Sequence, residues 1–322
     1  MNYWAKRLLG LIPLFFGIIF ISFTVIHLAP GGPVDFKSDL NPKMSAQARD
    51  RMQALYGLNK PALVQFADWA RRASLFDFGH SFSDGEKVTE KISKAIPVTL
   101  FLNGLALFFI FFIGIPIGMF GAVKKDSRPD HFFTVFTMAG FSMPTFWLSL
   151  VVMSFFGVRL HLLPVSGLFS FNFEDMTLSE KAADLARHLA LPVFVSTVTG
   201  LAGISRFMRS SMLEVLRENY ICTARAKGLP ESKVLYGHAL KNALLPVITI
   251  LGLSVPGLLG GSVVFESIFS IPGMGRLFFN SVFSRDYPVI MGILVLGAVL
   301  TLIGNFLADL AYRFVDPRIR LK

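Results

Sequence analysis

Long apolar runs alternate with short charged ones along this chain. Six stretches, roughly 8–28, 98–122, 132–157, 188–208, 242–265 and 288–312, are nearly free of charge. A helix that crosses a bilayer needs ~20 mostly apolar residues, so each stretch predicts one transmembrane helix. Helices of that length in a soluble core would carry a polar face, and these do not. The predicted class is an all-α membrane protein with six transmembrane helices.

Composition agrees. The 322 residues are 53% apolar, with 34 Phe and a mean hydropathy of +0.59, values that suit a multi-span protein. A net charge of +10 would by itself suggest nucleic acid. Its placement argues for the bilayer as the partner instead. Lys6 and Arg7 precede the first span; Lys124, Lys125 and Arg128 follow the second. Arg206, Arg209, Arg217, Arg225, Lys227, Lys233 and Lys241 crowd the loop after the fourth. Arg313, Arg318, Arg320 and Lys322 follow the sixth. Short basic loops stay cytoplasmic, which puts both termini inside and loops 29–97, 158–187 and 266–287 outside. Loop 29–97 is also rich in Lys and Arg, but it exceeds the ~60 residues within which that rule counts.

The predicted organisation is therefore residues 1–28 as amino terminus and first helix, and 29–97 as an extracytoplasmic segment. Residues 98–312 form a five-helix core carrying a cytoplasmic loop at 209–241, and 313–322 form a tail. The first apolar run, about 21 residues, is longer than the ~7–15 of a signal h-region, and no small-x-small site follows, so it reads as a retained span. Cys222 is the single cysteine. It excludes a disulfide within the chain and a Cys metal site, and reads as a small packing residue.

Local punctuation refines this picture. His27-Leu28-Ala29-Pro30-Gly31-Gly32-Pro33 ends the first helix, with His27 as an interfacial polar tip. Ser45 is placed as an N-cap, and Leu55 to Pro61 as a turn. The outer segment has too few apolar residues for an independent domain and is expected to lie over the outer mouth. Gly114-x-x-x-Gly118 in the second span suits close helix packing. Pro246 and Pro256 interrupt the fifth span and free backbone carbonyls, which a membrane tolerates only against protein or water. That span is the candidate lining of a pathway, although a kink needed only for packing explains either proline singly. Asn103, Asn242 and Asn305 supply neutral polar groups to such a pathway.

Missing chemistry narrows the function. The span centres hold no ionisable residue, and Asp309 and Arg313 sit at the inner end of the sixth. Proton- or sodium-coupled carriers place charges within their spans. No Gly-Lys pair exists for a P-loop, and H-E-x-x-H and G-x-S-x-G are absent. Energy must then come from another subunit. Residues Asn219 to Pro246 offer the means: a Gly228-Leu229-Pro230 turn separates two short helical pieces in which charges sit beside Leu229, Val234, Leu235 and Leu240. A mere connector needs no such folded, partly apolar face.

The order of residues in this loop resembles the EAA loop of ABC importer permeases. Thr223 to Gly228, reading TARAKG, is similar to the dipeptide/oligopeptide/nickel branch. It departs where Cys222 and Thr223 replace an acid and an Ala. Glu266 to Leu277, ESIFSIPGMGRL, resembles that family's E-x-x-F-x-x-P-G-x-G-x-L element, and Arg285-Asp286-Tyr287-Pro288 its R-D-Y-P. Asp316 to Arg320 is similar to D-P-R-x-R. Phe76 to Phe82 is similar to G-D-L-G-x-S, with Phe76 and Phe78 departing. In chemical terms Pro272, Gly273 and Gly275 permit a tight outer reversal, and Glu266 and Arg276 are expected to anchor at headgroups.

The resemblance implies a type I ABC importer permease fold in a bacterial cytoplasmic membrane. It implies a non-enzymatic subunit that binds no cofactor itself, ATP and Mg being held by two ABC ATPase subunits. A second homologous permease and an extracytoplasmic solute-binding protein complete the assembly. Peptides are the implied substrate, with nickel chelates or other small solutes as alternatives. The segment after Gly228 is implied to enter an ATPase groove. Leu229, Val234, Leu235 and Tyr236 form the expected docking face; Ala224, Gly228 and Pro230 shape it, and Arg225 and Lys227 flank it. From a different class, a self-sufficient channel or secondary carrier remains open, and reconstitution of the chain alone separates the two.

Overall fold

The structure is a computed structural model. It describes residues 3–28, 31–34, 38, 45–254, 257–258 and 260–315. Among them the elements are helical, without a strand. Five helices are long and apolar enough to cross a membrane, or six if one bent pair counts as a single span.

Helix α1 covers Tyr3–Leu28. Two short helices follow, α2 at Ala46–Leu55 and α3 at Ala62–Ala73. Ser45 caps α2 as expected, its hydroxyl accepting the Ala48 N–H at 3.2 Å. Helix α4 runs over Val88–Val123, and at 36 residues it is about 54 Å long. It therefore begins ten residues before the apolar stretch expected from the sequence and projects beyond any hydrocarbon layer. Helix α7, Leu178–Val215, likewise outruns its apolar centre. Its start is set by a capping box: the Thr177 N–H donates to Glu180 Oε2 at 2.8 Å.

Two expected spans are corrected. Stretch 132–157 is not one helix: α5, Arg128–Ser142, and α6, Thr145–Arg159, meet at 103°. Pro144 has no N–H to continue the ladder and pushes Met143 to φ −77°, ψ 130°. Stretch 242–265 also divides. Helix α9, Lys233–Ser254, ends before a glycine-rich segment in which Gly261 takes φ +61°. A separate short helix, α10, then covers Val263–Ile268. Between α7 and α9 lies α8, Asn219–Ala226; after α10 come α11, Met274–Phe283, and α12, Tyr287–Val315.

Helices α4 and α7 form the spine. A Cβ at Gly118 would lie 2.4 Å from the Ser205 carbonyl oxygen and 2.6 Å from Met208 Cβ. The Gly114-x-x-x-Gly118 pattern thus serves helix contact, as read. One apolar cluster gathers Leu102, Val195, Phe265 and Ile271. Another gathers Phe111, Met208, Met212, Ile221 and Val234. A third joins Ile19 of α1 to Phe78, Ile92, Met274 and Val289. Phe108, Phe112, Phe132 and Phe136 remain exposed on α4 and α5, as a lipid-facing surface requires.

The segment between α1 and α4 is held to the bundle by a polar buckle. The buried Asp286 carboxylate accepts the Ser81 hydroxyl and, at 2.9 Å, the Phe82 N–H. The two short motifs around Ser81 and Asp286, 205 residues apart in sequence, therefore make one junction.

Candidate functional site

The loop between α7 and α9 is folded from its own sequence. Helix α8 ends in a paired reversal: the Gly228 N–H donates to the Arg225 carbonyl at 2.9 Å and the Leu229 N–H to the Ala224 carbonyl at 3.4 Å. This Schellman arrangement requires a left-handed residue, and Gly228 supplies φ +76°. Pro230 then accepts the Lys233 and Val234 N–H groups on its carbonyl and starts the next helix. The first turns of α9, Lys233–Ala239, are wound as a π-helix.

Periodicity decides which face looks inward. Ile221, Val234 and Ala239 are fully buried, and Ala224 nearly so, against Met208 and Met212 of α7. Leu229 and Leu235 pack partly against the same cluster. Of the four apolar residues expected on one docking face, Val234 is removed from it by burial, and only Tyr236 stands well out, at 59% exposure. The outward surface also carries Arg225, Lys227 and Pro230. The missed signal was the i, i+3 spacing of Ile221 and Ala224, which aims that side of α8 at the bundle.

An ion pair closes the turn. Arg225 Nη2 lies 2.7 Å from Glu231 Oε1, and its Nε donates to Oε2 at 3.2 Å. Beside Arg225 the Glu231 carboxyl is held below its ordinary range, and Glu231 in turn raises the Arg225 guanidinium. The acid expected at position 222 is an exposed cysteine; Glu231 supplies the local carboxylate from the other side of the turn. At the loop's root Asn242 Nδ2 donates to the Tyr220 hydroxyl at 2.7 Å, and the Ser211 hydroxyl donates to the Ala243 carbonyl at 3.0 Å. Asn242 thus braces α8 against α9.

The other pathway candidates are dispersed. Asn103 on α4 donates to the Leu258 carbonyl at 2.8 Å, holding the segment after α9. Pro246 lies exposed within α9. Asn305 lies on α12, and Pro256 falls outside the described residues.

The outer turn differs from expectation in one respect. Glu266 does not anchor at headgroups: it is 1% exposed. Its carboxylate accepts the Thr99 hydroxyl at 3.0 Å and the Arg276 N–H at 3.1 Å, while Arg276 Nη1 donates to the Ser270 carbonyl at 2.6 Å. The first N–H groups of a helix lack intrahelical partners. Glu266 of α10 caps α11 from outside it. Thr99 also accepts the Met274 N–H at 2.8 Å, so one hydroxyl ties α4 to both. A Cβ at Gly273 would meet Glu266 Oε2 at 2.4 Å and Thr99 Oγ1 at 2.5 Å. Close approach, as well as the reversal, demands glycine there and at Gly275, where a Cβ would lie 2.5 Å from the Ser262 carbonyl carbon.

A long paired-helix bundle of membrane-length apolar helices, a folded loop on one of its apolar clusters and a capped turn define a helical membrane protein. Residues 114–321 match the family described as binding-protein-dependent transport system inner membrane component, and the chain belongs to that family. It is 42% identical over 318 residues to the oligopeptide transport system permease protein AppB of Bacillus subtilis, covering 98% of each chain. It is 39% identical to the di/tripeptide transport system permease protein DppB of Pseudomonas aeruginosa, with 99% of each covered. It is 38% identical to the oligopeptide transport system permease protein OppB of Haemophilus influenzae, again with 99% of each covered. Its fold is similar to a chain of the inward-facing MetNI methionine ABC transporter, with a TM-score of 0.55 and 20% identity. That likeness covers 71% of this chain and 97% of the other.

Proposed function

We propose that this chain is one of the two membrane halves of an ATP-driven importer of short peptides. The observation that carries this reading is the end-to-end similarity to permeases of di-, tri- and oligopeptide systems. A second homologous permease completes the pathway, two ATPase subunits bind and hydrolyse ATP with Mg, and a binding protein delivers solute from outside. The chain crosses a bacterial inner membrane six times with both termini in the cytoplasm, a reading supported by its short basic loops.

The ATPase contact is the outward side of the α8–α9 turn. Tyr236 offers an aromatic anchor, with Arg225, Lys227 and Pro230 around it, while Val234 and Leu235 fasten the turn to the bundle. Motion of the ATPase pair is passed through this turn to α7 and α9. Asn103, Pro246, Pro256 and Asn305 are the candidate contacts for passing solute, and the Glu266 turn shapes the outer end.

The test is uptake. Membrane vesicles holding this chain with its partner subunits and binding protein should accumulate labelled dialanine only with ATP. Accumulation of nickel without any peptide would reassign the substrate. Peptide flux through the chain alone, without ATP, would replace the reading with a channel.

A further inference from the structure

The outer segment, the end of α1 and the start of α12 enclose a cavity of about 1000 Å³. Phe23, Tyr56, Trp69, Phe78, Phe82 and Tyr287 stand on its walls, interleaved with charged and polar side chains. Tyr56 stacks on Phe82 with centroids 3.9 Å apart, joining the end of α2 to the Ser81 buckle. Such a volume is in the range of a small-molecule site.

The polar groups are unequally matched. Both carboxylates on the lining have cations of their own. Asp68 is 2.7 Å from Lys60, and Asp84 is paired with Lys91, which holds its carboxyl down at about 2. Arg71 and Arg72, in the last turn of α3, also line the cavity. Neither makes an ion pair among the described residues, although both help to lower the Asp68 carboxyl from a distance. One helix therefore brings two arginines to a cavity whose two carboxylates each have a lysine of their own.

We propose that this cavity binds the terminal carboxylate of a short peptide on the outer side of the membrane. The guanidinium fork matches a carboxylate, and the aromatic walls cover apolar side chains. This rests on the proposed orientation and cargo, but it places a cargo site on the outer segment, apart from the Asn103 and Pro246 pathway.

The test uses the full chain in nanodiscs, titrated calorimetrically with trialanine and with trialanine amide. The amide keeps the shape and removes the charge. Trialanine should bind saturably, and the amide about tenfold or more weakly, because charge-assisted hydrogen bonds are the strong ones. Joint Arg71→Gln and Arg72→Gln substitution should bring trialanine down to the amide's affinity. Trp69→Phe keeps the wall and removes only a buried N–H, and should leave trialanine binding unchanged. Equal affinity for acid and amide, absence of binding, or insensitivity to the arginine substitutions overturns the proposal; an acidic partner-protein loop in place of the peptide would give that absence. Dialanine uptake by the assembled transporter separates the two readings. Uptake without cavity binding discards only this site, whereas loss of all peptide uptake discards the proposed function.

Discussion

Arg209 reaches from α7 to the α4–α5 turn, where its Nη2 lies 2.8 Å from Asp130 Oδ2. Its Nε donates to the Gly121 carbonyl at 3.3 Å, and the Asp126 N–H donates to the same Asp130 oxygen at 3.0 Å. Asp130 is 4% exposed. The turn after α4 is thus fastened to α7 about three helical turns' worth of chain before α8 begins. Any displacement of the α8–α9 loop carried by α7 must move this turn with it.

Arg209→Gln should therefore leave a buried carboxylate without its cation. Breaking a fully buried pair costs ~3–5 kcal/mol. Arg209 retains 32% exposure of its side chain, so solvent screening brings the expected loss to about 2 kcal/mol. Combining Arg209→Gln with Asp130→Asn should recover much of it, since the unpaired charge is gone. Thermal unfolding of the four proteins in one detergent measures the coupling. A double variant no more stable than Arg209→Gln would show that the pair is incidental.

Glu266 gives a pH dependence of known sign. Burial pushes its carboxyl above the ordinary range, against the opposing hydrogen bonds from the Arg276 N–H and the Thr99 hydroxyl. A raised folded-state value means that its stabilising contribution is complete below the unfolded value and is lost as pH rises through the folded one. Glu266→Gln keeps an acceptor for Thr99 and cannot ionise. From about pH 4.5 upward the native protein should lose stability relative to this variant. A difference in unfolding midpoint that stays flat from pH 4.5 to 8 would refute the assignment.

Much of this fold was legible in the apolar pattern because a bilayer demands long uncharged helices. The six stretches, the Gly114-Gly118 contact, the Ser45 cap and the Gly228 turn all follow from local rules. What stayed hidden depends on distant partners. Nothing beside Thr99 marks it as the hydroxyl that meets Glu266, 167 residues away. The break at Met143-Pro144 was present as an X-Pro step but was masked by the surrounding apolar run. In the α8–α9 loop, apolar character alone does not mark the outward face. Leu229, Val234 and Leu235 are apolar because they hold the loop onto Met208 and Met212, and only the helical phase of Ile221 and Ala224 reveals that inner face.

Gly228 allows a sharper test of that loop than a simple loss of function. A Cβ there would meet nothing within 4 Å, so space is not the constraint; φ +76° is. Gly228→Asn, which tolerates the left-handed region, should keep dialanine-stimulated ATPase activity within about twofold. Gly228→Val should cost about 1–2 kcal/mol locally and abolish that stimulation while leaving the protein in the membrane. Equal activity of the two variants would show that the shape of the turn does not matter to coupling.

Orientation is tested by labelling. The Ser81–Asp286 buckle and the Gly228 turn must lie on opposite sides if the basic loops stay cytoplasmic. Neither Asp84 nor Glu231 can serve as a label site, since each is ion-paired. Ser83 beside the buckle and Lys227 beside the turn make no salt bridge among the described residues, so cysteine at either place leaves both anchors intact. The exposed Cys222 must first be replaced by Ala. In that background Ser83→Cys should react with a membrane-impermeant maleimide in whole spheroplasts. Lys227→Cys should react only after the membrane is opened. The opposite pattern would invert the topology, and with it the outer cavity and the ATPase contact.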